Sequence, residues 1–541
     1  MMKNSLLVTL LSLAVATQGL AQGYKDGIEY YKVGRLDNAK ELLERNLNAA
    51  GTNKAEAYYY LGQIALSEGK QAIADGFFEQ GIASDPSCAL NYVGQGASAL
   101  KKGVSPKTFF DQARKLAKKD CYVEMEIARA MYAGNAQSHA KDITKSINQA
   151  RKWKAEDPNS FIFDGDMRAD QKEWGEAAAQ YEWAFTYDPN NIEAYVKYAN
   201  TYFNVNPDFA IKRLEELNAK QPGSALVQRE LAEKYYANNQ GSKAAETYGE
   251  YIKNPNHFAQ DEVRYVQLLY FGNKYQESYD LATSLISKLQ PGDSKIFFMR
   301  RMQVLDMNKL MNWQGAAEAG DKFFSLPVPQ GAAYTANDYT AYAEALAKLG
   351  RNADAIKAYE AAVELNRDDL DMMRMLSDVY TEAGEYSKAA DTYLNVVNHP
   401  NRKANDLYEM AVKYLNIAVT TPEEDRATIT SNASKALKYL NDVNELVPDN
   451  VRIVYQIARA TKIQEGENKG GAVQAYKNLV ALLDQKEDRS SYATYYINAY
   501  NYLAADATNR GDKVAAKEYY IKWLENDPDN DDLRNYVNTL K

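Results

Sequence analysis

The sequence predicts an all-α solenoid of helix–turn–helix repeats closed by a capping helix. Three ladders of residues predict it: prolines at near-regular intervals, alanines with a ring four residues on, and glycines midway between. At 541 residues the chain is far longer than one compact core requires, which leaves several domains or a repeat array. The ladders select the array.

The prolines come first. Pro158, Pro189, Pro222, Pro255, Pro291 and Pro327 lie 31, 33, 33, 36 and 36 residues apart. Pro86 and Pro400 extend the series by two periods on either side, and Pro448 and Pro528 close later units. Proline cannot continue a helix but is tolerated just after one or in the next first turn, so this spacing punctuates a helical array. In the second ladder Ala74, Ala177, Ala244, Ala355 and Ala389 are followed four residues later by Phe78, Tyr181, Tyr248, Tyr359 and Tyr393. Residues four apart share a helix face, where the small residue admits a neighbouring helix and the ring fills the space beyond. In the third, Gly34, Gly69, Gly350, Gly384 and Gly511 stand between two helical stretches, the usual place for glycine at a helix C-terminus.

A unit of helix, tight turn, helix and proline, renewed about every 34 residues, resembles the tetratricopeptide repeat family. The unit Ala57 to Pro86 carries the resemblance most clearly, through Leu61-Gly62, Gly69, Ala74, Phe78 and Pro86. The resemblance covers Tyr24 to Lys541 and implies a right-handed α-solenoid. Taking residues 22–541 at about 34 per unit, less one insertion and a cap, leaves about fourteen repeats. Residues 104–158 drift in spacing and suggest a longer helix. The polar stretch Val419 to Ser434 reads as an insertion, residues 327–338 as a joint, and residues 529–541 as a polar-faced capping helix, which solenoid ends need.

The first 22 residues read as a bacterial secretory signal. Lys3 is followed by the apolar run Leu6 to Ala16, and Gly19-Leu20-Ala21 sets cleavage before Gln22. The run is shorter than the roughly 20 residues a bilayer span needs, and no cysteine follows it to carry a lipid. The expectation is a periplasmic or envelope protein without a lipid anchor or membrane span. With 64 basic and 73 acidic residues the net charge is −9, which does not suit nucleic acid as a partner.

The chain carries no recognisable catalytic constellation, and neither an enzyme activity, a cofactor nor a metal is expected. His139, His257 and His399 are far apart. Gly94-Gln-Gly96-Ala-Ser-Ala99 matches a loose dinucleotide pattern but falls inside a predicted helix with no strand before it. Asp164, Asp166 and Asp170 read as a carboxylate-rich helix face rather than a cation site. Cys88 and Cys121, 33 apart, read more readily as two thiols than as a bridge.

The stronger lead is a binding face. Stacked helix pairs present the first helix of each unit along a concave groove. Three successive first helices offer Val196, Asn200 and Phe203; Arg229, Glu233 and Tyr236; and Val263, Gln267 and Tyr270. Within each set the spacing of four then three defines one face. The candidate groove residues are therefore Asn200, Phe203, Arg229, Glu233, Tyr236, Gln267 and Tyr270. The family resemblance implies an extended peptide or partner helix as ligand, with Asn200 where relatives contact a peptide backbone. Val196 stands where the chaperone-binding subgroup has lysine, so a carboxylate clamp is not expected. The leading function is an envelope scaffold for a partner protein, in an envelope or secretion complex. The alternative is carbohydrate binding through exposed tyrosines, of which the chain has 42 against 15 phenylalanines. For the groove aromatics Phe203, Tyr236 and Tyr270, burial between repeats is the slightly stronger reading. Repeat stability is expected to be roughly additive, so that truncation after Pro222 leaves a soluble helical fragment if a polar cap is supplied.

Overall fold

The computed structural model describes residues 23–466 and 470–540, and every regular element among them is helical. The expected leader and its cleavage point lie outside the described residues. Helices alternate as predicted. α1 (residues 23–32) pairs with α2 (Leu36–Asn46), α3 (Lys54–Ser67) with α4 (Gln71–Ser84), and α5 (Ala89–Lys101) with α6 (Lys107–Ala117). Counting a kinked α7 as one pair, the described residues hold fourteen pairs and then a final helix, α28 (Asp531–Thr539). The chain divides into two compact units, residues 1–302 and 303–541, with the division inside α16 (Lys295–Lys309).

The alanine–ring ladder is the core of the pairs. Ala74, Phe78, Ala244 and Tyr248 are all fully buried. Glycines on the facing helices make room for the rings: a Cβ at Gly62 or Gly94 would overlap the Phe78 ring, and one at Gly165 would press on Tyr181. Gly94 and Gly96, the pair in the dinucleotide-like pattern, are thus helix-packing glycines inside α5. The predicted mid-unit glycines Gly34, Gly69, Gly350, Gly384 and Gly511 have φ of 72–79°. In other units Lys172, Asn239, Asn273 and Met311 take the same left-handed turn, with φ of 55–64°.

The drifting region 104–158 does not hold one long helix: the span Cys121–Trp153, numbered here as the single element α7, is broken at Asn135, where φ is −165° and ψ is 97°, into the two helices of one repeat. The Asn135 side chain accepts the Ser138 amide at 2.9 Å and so caps the second half. The polar stretch 419–434 is mostly helix: α22 (Ala404–Thr420) and α23 (Arg426–Leu446) are joined by residues 421–425, and the extra residues lengthen α23. Cys88 is half-buried, Cys121 is buried against the Ala150 carbonyl at 3.6 Å, and both are free thiols.

Within the first unit the chain also returns on itself. Helix α1 and the turn after it meet α12 (Ala225–Ala237) and the residues between α13 (Gly241–Lys253) and α14 (Asp261–Phe271). Arg35 donates to both Glu230 carboxylate oxygens, at 2.9 and 3.1 Å. The Asn256 amide donates to Asp26 at 2.8 Å, and the Tyr30 and Phe258 rings meet edge to face at 5.4 Å. The first helix pair therefore packs on the seventh and eighth as well as on the second.

Candidate functional site

The predicted groove residues lie on α10 (Ile192–Tyr202), α12 and α14, and the structure joins most of them into one network. Glu233 accepts two hydrogen bonds from Arg264, at 3.0 and 2.8 Å. Arg264 also donates to the Gln267 carbonyl at 3.0 Å and lies 4.4 Å from the centre of the Tyr236 ring. Tyr236 in turn meets Phe271 at 5.1 Å, and Phe271 meets Tyr270 at 5.4 Å. Phe203 caps the end of α10 beneath Lys234, whose ammonium is 4.8 Å from the ring centre. Asn200 is exposed at this end of the face, while Val196 is buried.

Arg229 faces inward and belongs to a different cluster. Its Nε donates to Asp261 at 2.8 Å, and the Tyr251 hydroxyl donates to the same carboxylate oxygen at 2.7 Å. This end of the face is covered by α1, so Arg229 contributes to closing the unit rather than to an open groove.

Sequence reasoning missed Lys234, Arg264 and Phe271. Arg264, Gln267 and Phe271 follow three-then-four spacing, which would have included them alongside the chosen set. Phe271 is the most exposed aromatic of the face, at 49%.

Beneath α1 lies a charge network shared by four helix pairs. Asp166 on α8 (Pro158–Asp170) accepts the Lys197 ammonium at 2.8 Å, the Tyr181 hydroxyl at 2.8 Å, and Arg129. Arg129 also approaches Glu126 at 3.2 Å and Glu193 at 3.7 Å. Glu126 accepts the Tyr59 hydroxyl at 2.7 Å. From α1, Lys32 lies 5.4 Å from the Tyr122 ring centre and Tyr31 meets Tyr60 at 5.0 Å. Burial raises the Glu126 and Glu29 carboxyls above their ordinary range. For Asp166 burial acts the same way, but Lys197 and Arg129 together outweigh it and hold the carboxyl below its ordinary value. The aspartates read as a solvated face are therefore engaged: Asp166 in this network, and Asp164 with Arg151 and Arg168 at 3.1 Å each.

The tyrosines are not the exposed platforms that the carbohydrate alternative needs. Among the described residues only Tyr187 and Tyr536 are classed as exposed, because the rings fill the gaps between helices. No group of His, Cys, Asp or Glu suited to a metal occurs among the described residues, and no helix among them is long and apolar enough to cross a membrane.

The fold and this face define a class: helix-pair repeat proteins that present a continuous face of first helices. Residues 340–403, spanning most of the stretch from α18 (Ala336–Lys348) to α21 (Tyr386–Asn398), match the tetratricopeptide repeat family. No curated protein matches it. Among solved structures, the C-terminal part of a TPR repeat-containing protein from Cytophaga hutchinsonii is 23% identical, covering 50% of this chain and 98% of its own, with a TM-score of 0.39. The structure of Naa15/Naa10 bound to HypK-THB aligns over 76% of this chain and 78% of its own at 16% identity and a TM-score of 0.37. YrrB, described as a TPR protein with an unusual peptide-binding site, is 18% identical over 38% of this chain and 92% of its own, with a TM-score of 0.28.

Proposed function

We propose that the protein is a non-enzymatic scaffold of the bacterial cell envelope, exported by its N-terminal segment, that holds a partner protein or extended peptide. The contact face is formed by Asn200, Phe203, Glu233, Tyr236, Gln267, Tyr270 and Phe271. The observation that carries this reading is the aromatic run Tyr236, Phe271 and Tyr270, flanked by cations and partly open to solvent. Aromatic and arginine anchors of this kind dominate protein interfaces. Export rests on Lys3, the run Leu6 to Ala16 and the small residues before Gln22.

The test is a photo-reactive residue at Phe271 in cells of the native organism, with one at the exposed Val514 as the control. A discrete cross-linked protein from position 271 alone is the expected result. Identical products from both positions, or none from 271, would remove the face from consideration. Fractionation with N-terminal sequencing checks export in the same material, where a mature chain starting at Gln22 outside the cytoplasm is expected.

One observation favours the carbohydrate alternative. Trp183, 51% exposed, stacks on Tyr187 at 5.9 Å, and Tyr187 meets Phe161 at 5.3 Å. Retention on an envelope-glycan column that Trp183→Ala abolishes would move the reading to that site.

A further inference from the structure

Where α7 begins, where its second half ends and where α8 begins, the first unit leaves an opening of about 710 Å³. That is the size of a small-ligand site. Its floor is fixed by contacts already in place. The Cys121 thiol lies against the Ala150 carbonyl at 3.6 Å, and the Tyr122 hydroxyl meets that of Tyr60 at 2.6 Å. Trp153 forms one wall. It packs against the core, and its half-buried indole stacks on no other ring among the described residues.

Lys119, Lys152 and Lys154 line the same opening. The carboxylates beside them, Asp120 and Asp157, are already committed as helix caps. Asp120 accepts the Tyr122 and Val123 amides at 2.8 and 3.3 Å, and Asp157 accepts the Asn159 amide at 3.1 Å. Of the three lysines only Lys154 comes within ion-pair distance of a carboxylate among the described residues, that of Asp157 at 3.9 Å. Three lysines against two aspartates leave the lining net positive in a chain whose net charge is −9. The turn that presents Lys119 is also strained. Lys118 and Lys119 both take left-handed backbone, with φ of 48° and 74°, so lysines stand where glycine would sit without cost.

We propose that this opening binds an acidic sugar, a polyhydroxylated ring bearing a carboxylate or a phosphate. The lysines take the anionic group. The remaining acceptors, on Asp120, Asp157, Gln149 and Asn159, take ring hydroxyls, and the Trp153 indole takes the apolar face of the ring. A simple anion would leave the carboxylates and the indole without a role, and a neutral sugar would leave the lysines without one. A uronate and a sugar phosphate share this chemistry. None of these residues belongs to the contact face around Phe271 or to the Trp183 stack. Cross-linking at Phe271 and the experiment below therefore fail separately.

The probes are glucuronate, glucose phosphate, glucose and inorganic phosphate, each titrated into the full chain labelled with fluorotryptophan and followed by fluorine NMR. The chain has five tryptophans, and Trp153→Phe assigns the Trp153 signal. Glucuronate or glucose phosphate should shift that signal saturably, and the tighter of the two identifies the anion. Glucose and inorganic phosphate should each bind at least about tenfold more weakly. Lys119→Gln/Lys152→Gln should weaken the acidic sugar about tenfold, as loss of two ion pairs implies. Lys107→Gln/Lys145→Gln, which removes equal charge outside the opening, should leave it unchanged. Circular dichroism of each variant checks that the helices persist. No shift from either acidic sugar, or a shift confined to another tryptophan, would overturn the proposal. So would inorganic phosphate as effective as glucose phosphate, glucose as effective as glucuronate, or double variants that do not differ.

Discussion

Arg35 and Glu230, 195 positions apart in the sequence, form a two-pronged ion pair in which the carboxylate is almost wholly enclosed and the guanidinium is open to solvent on one side. The pair ties the first turn of the chain to the seventh helix pair. Removing Arg35 leaves a buried carboxylate whose remaining cation, Arg229, is 3.9 Å away. Arg35→Met should lower stability by about 1–2 kcal/mol, while Arg35→Met with Glu230→Met should recover part of the loss. A double-mutant cycle in urea measures both.

Closure of the first unit changes the expected behaviour of fragments. A fragment ending at Pro222 lacks Glu230, Asn256 and Phe258, so α1 loses the partners of Arg35, Asp26 and Tyr30. Hydrogen exchange should show α1 and α2 unprotected in that fragment and protected in the full chain. Equal protection in both would mean that neighbouring repeats alone hold α1, as simple repeat additivity requires.

Tyr248 and Tyr236 separate packing from display. Tyr248 is fully buried among Tyr251 and Tyr265, at 5.1 and 6.1 Å, so Tyr248→Ala should cost about 3–5 kcal/mol. Tyr236 is half-buried between Arg264 and Phe271, and Tyr236→Ala should cost about 1–2 kcal/mol. It should also reduce the yield of the cross-link from position 271. Urea unfolding of the two variants checks the ranking.

Acidification should act on the first unit in two opposite steps. Glu126 and Glu29 have raised pKa values in the folded state, so folding binds protons there as pH falls toward the ordinary glutamate value of about 4.3, and stability rises. Asp166 has a lowered value, so its contribution is present above the ordinary aspartate value of about 3.9 and is lost as pH falls through the folded one. The urea midpoint should therefore climb as pH falls toward about 4.3 and drop as it falls further below about 3.9. Glu126→Gln should flatten the climb and leave the drop.

The thiols give a simpler check. Cys88 is half-buried and Cys121 buried, and burial raises the pKa of both. A maleimide should label Cys88 slowly in the native protein and Cys121 only after denaturation, with no disulfide to reduce first. Mass spectrometry without reductant reads both outcomes.

The helix pairs were legible because their causes are local. Ala244 and Tyr248 sit within one helical turn, and a turn such as Gly384-Glu385 needs only its own residues to be recognised. The glycine ladder looked broken where Lys172, Asn239, Asn273 and Met311 adopt left-handed φ, since only Gly avoids a steric cost there and the other residues leave no comparable mark. The groove was partly legible: Tyr236, Gln267 and Tyr270 lie on one face, whereas Arg264, which joins Glu233, Gln267 and Tyr236, is identified only by its contacts. Arg229 has the same helical spacing as its neighbours but turns to Asp261 and Tyr251. Nothing in the sequence near Tyr30 announces Phe258, because a contact across more than two hundred residues depends on how many small inter-repeat rotations accumulate.

That distance has a consequence in time. Asp26 leaves the ribosome 230 residues before Asn256, an interval of roughly 10–50 s at ordinary elongation rates. Tyr30 on helix α1 must wait through that interval for Phe258, while Tyr31 meets Tyr60 and the helices up to Lys220 form from near-neighbour contacts. The first unit combines fast local steps with one late, long-range closure, and loop closure of that length sets a slow final phase. An α1 whose Tyr30 is still unpaired during synthesis is an opening for a chaperone. Its docking is the event that marks the unit as finished.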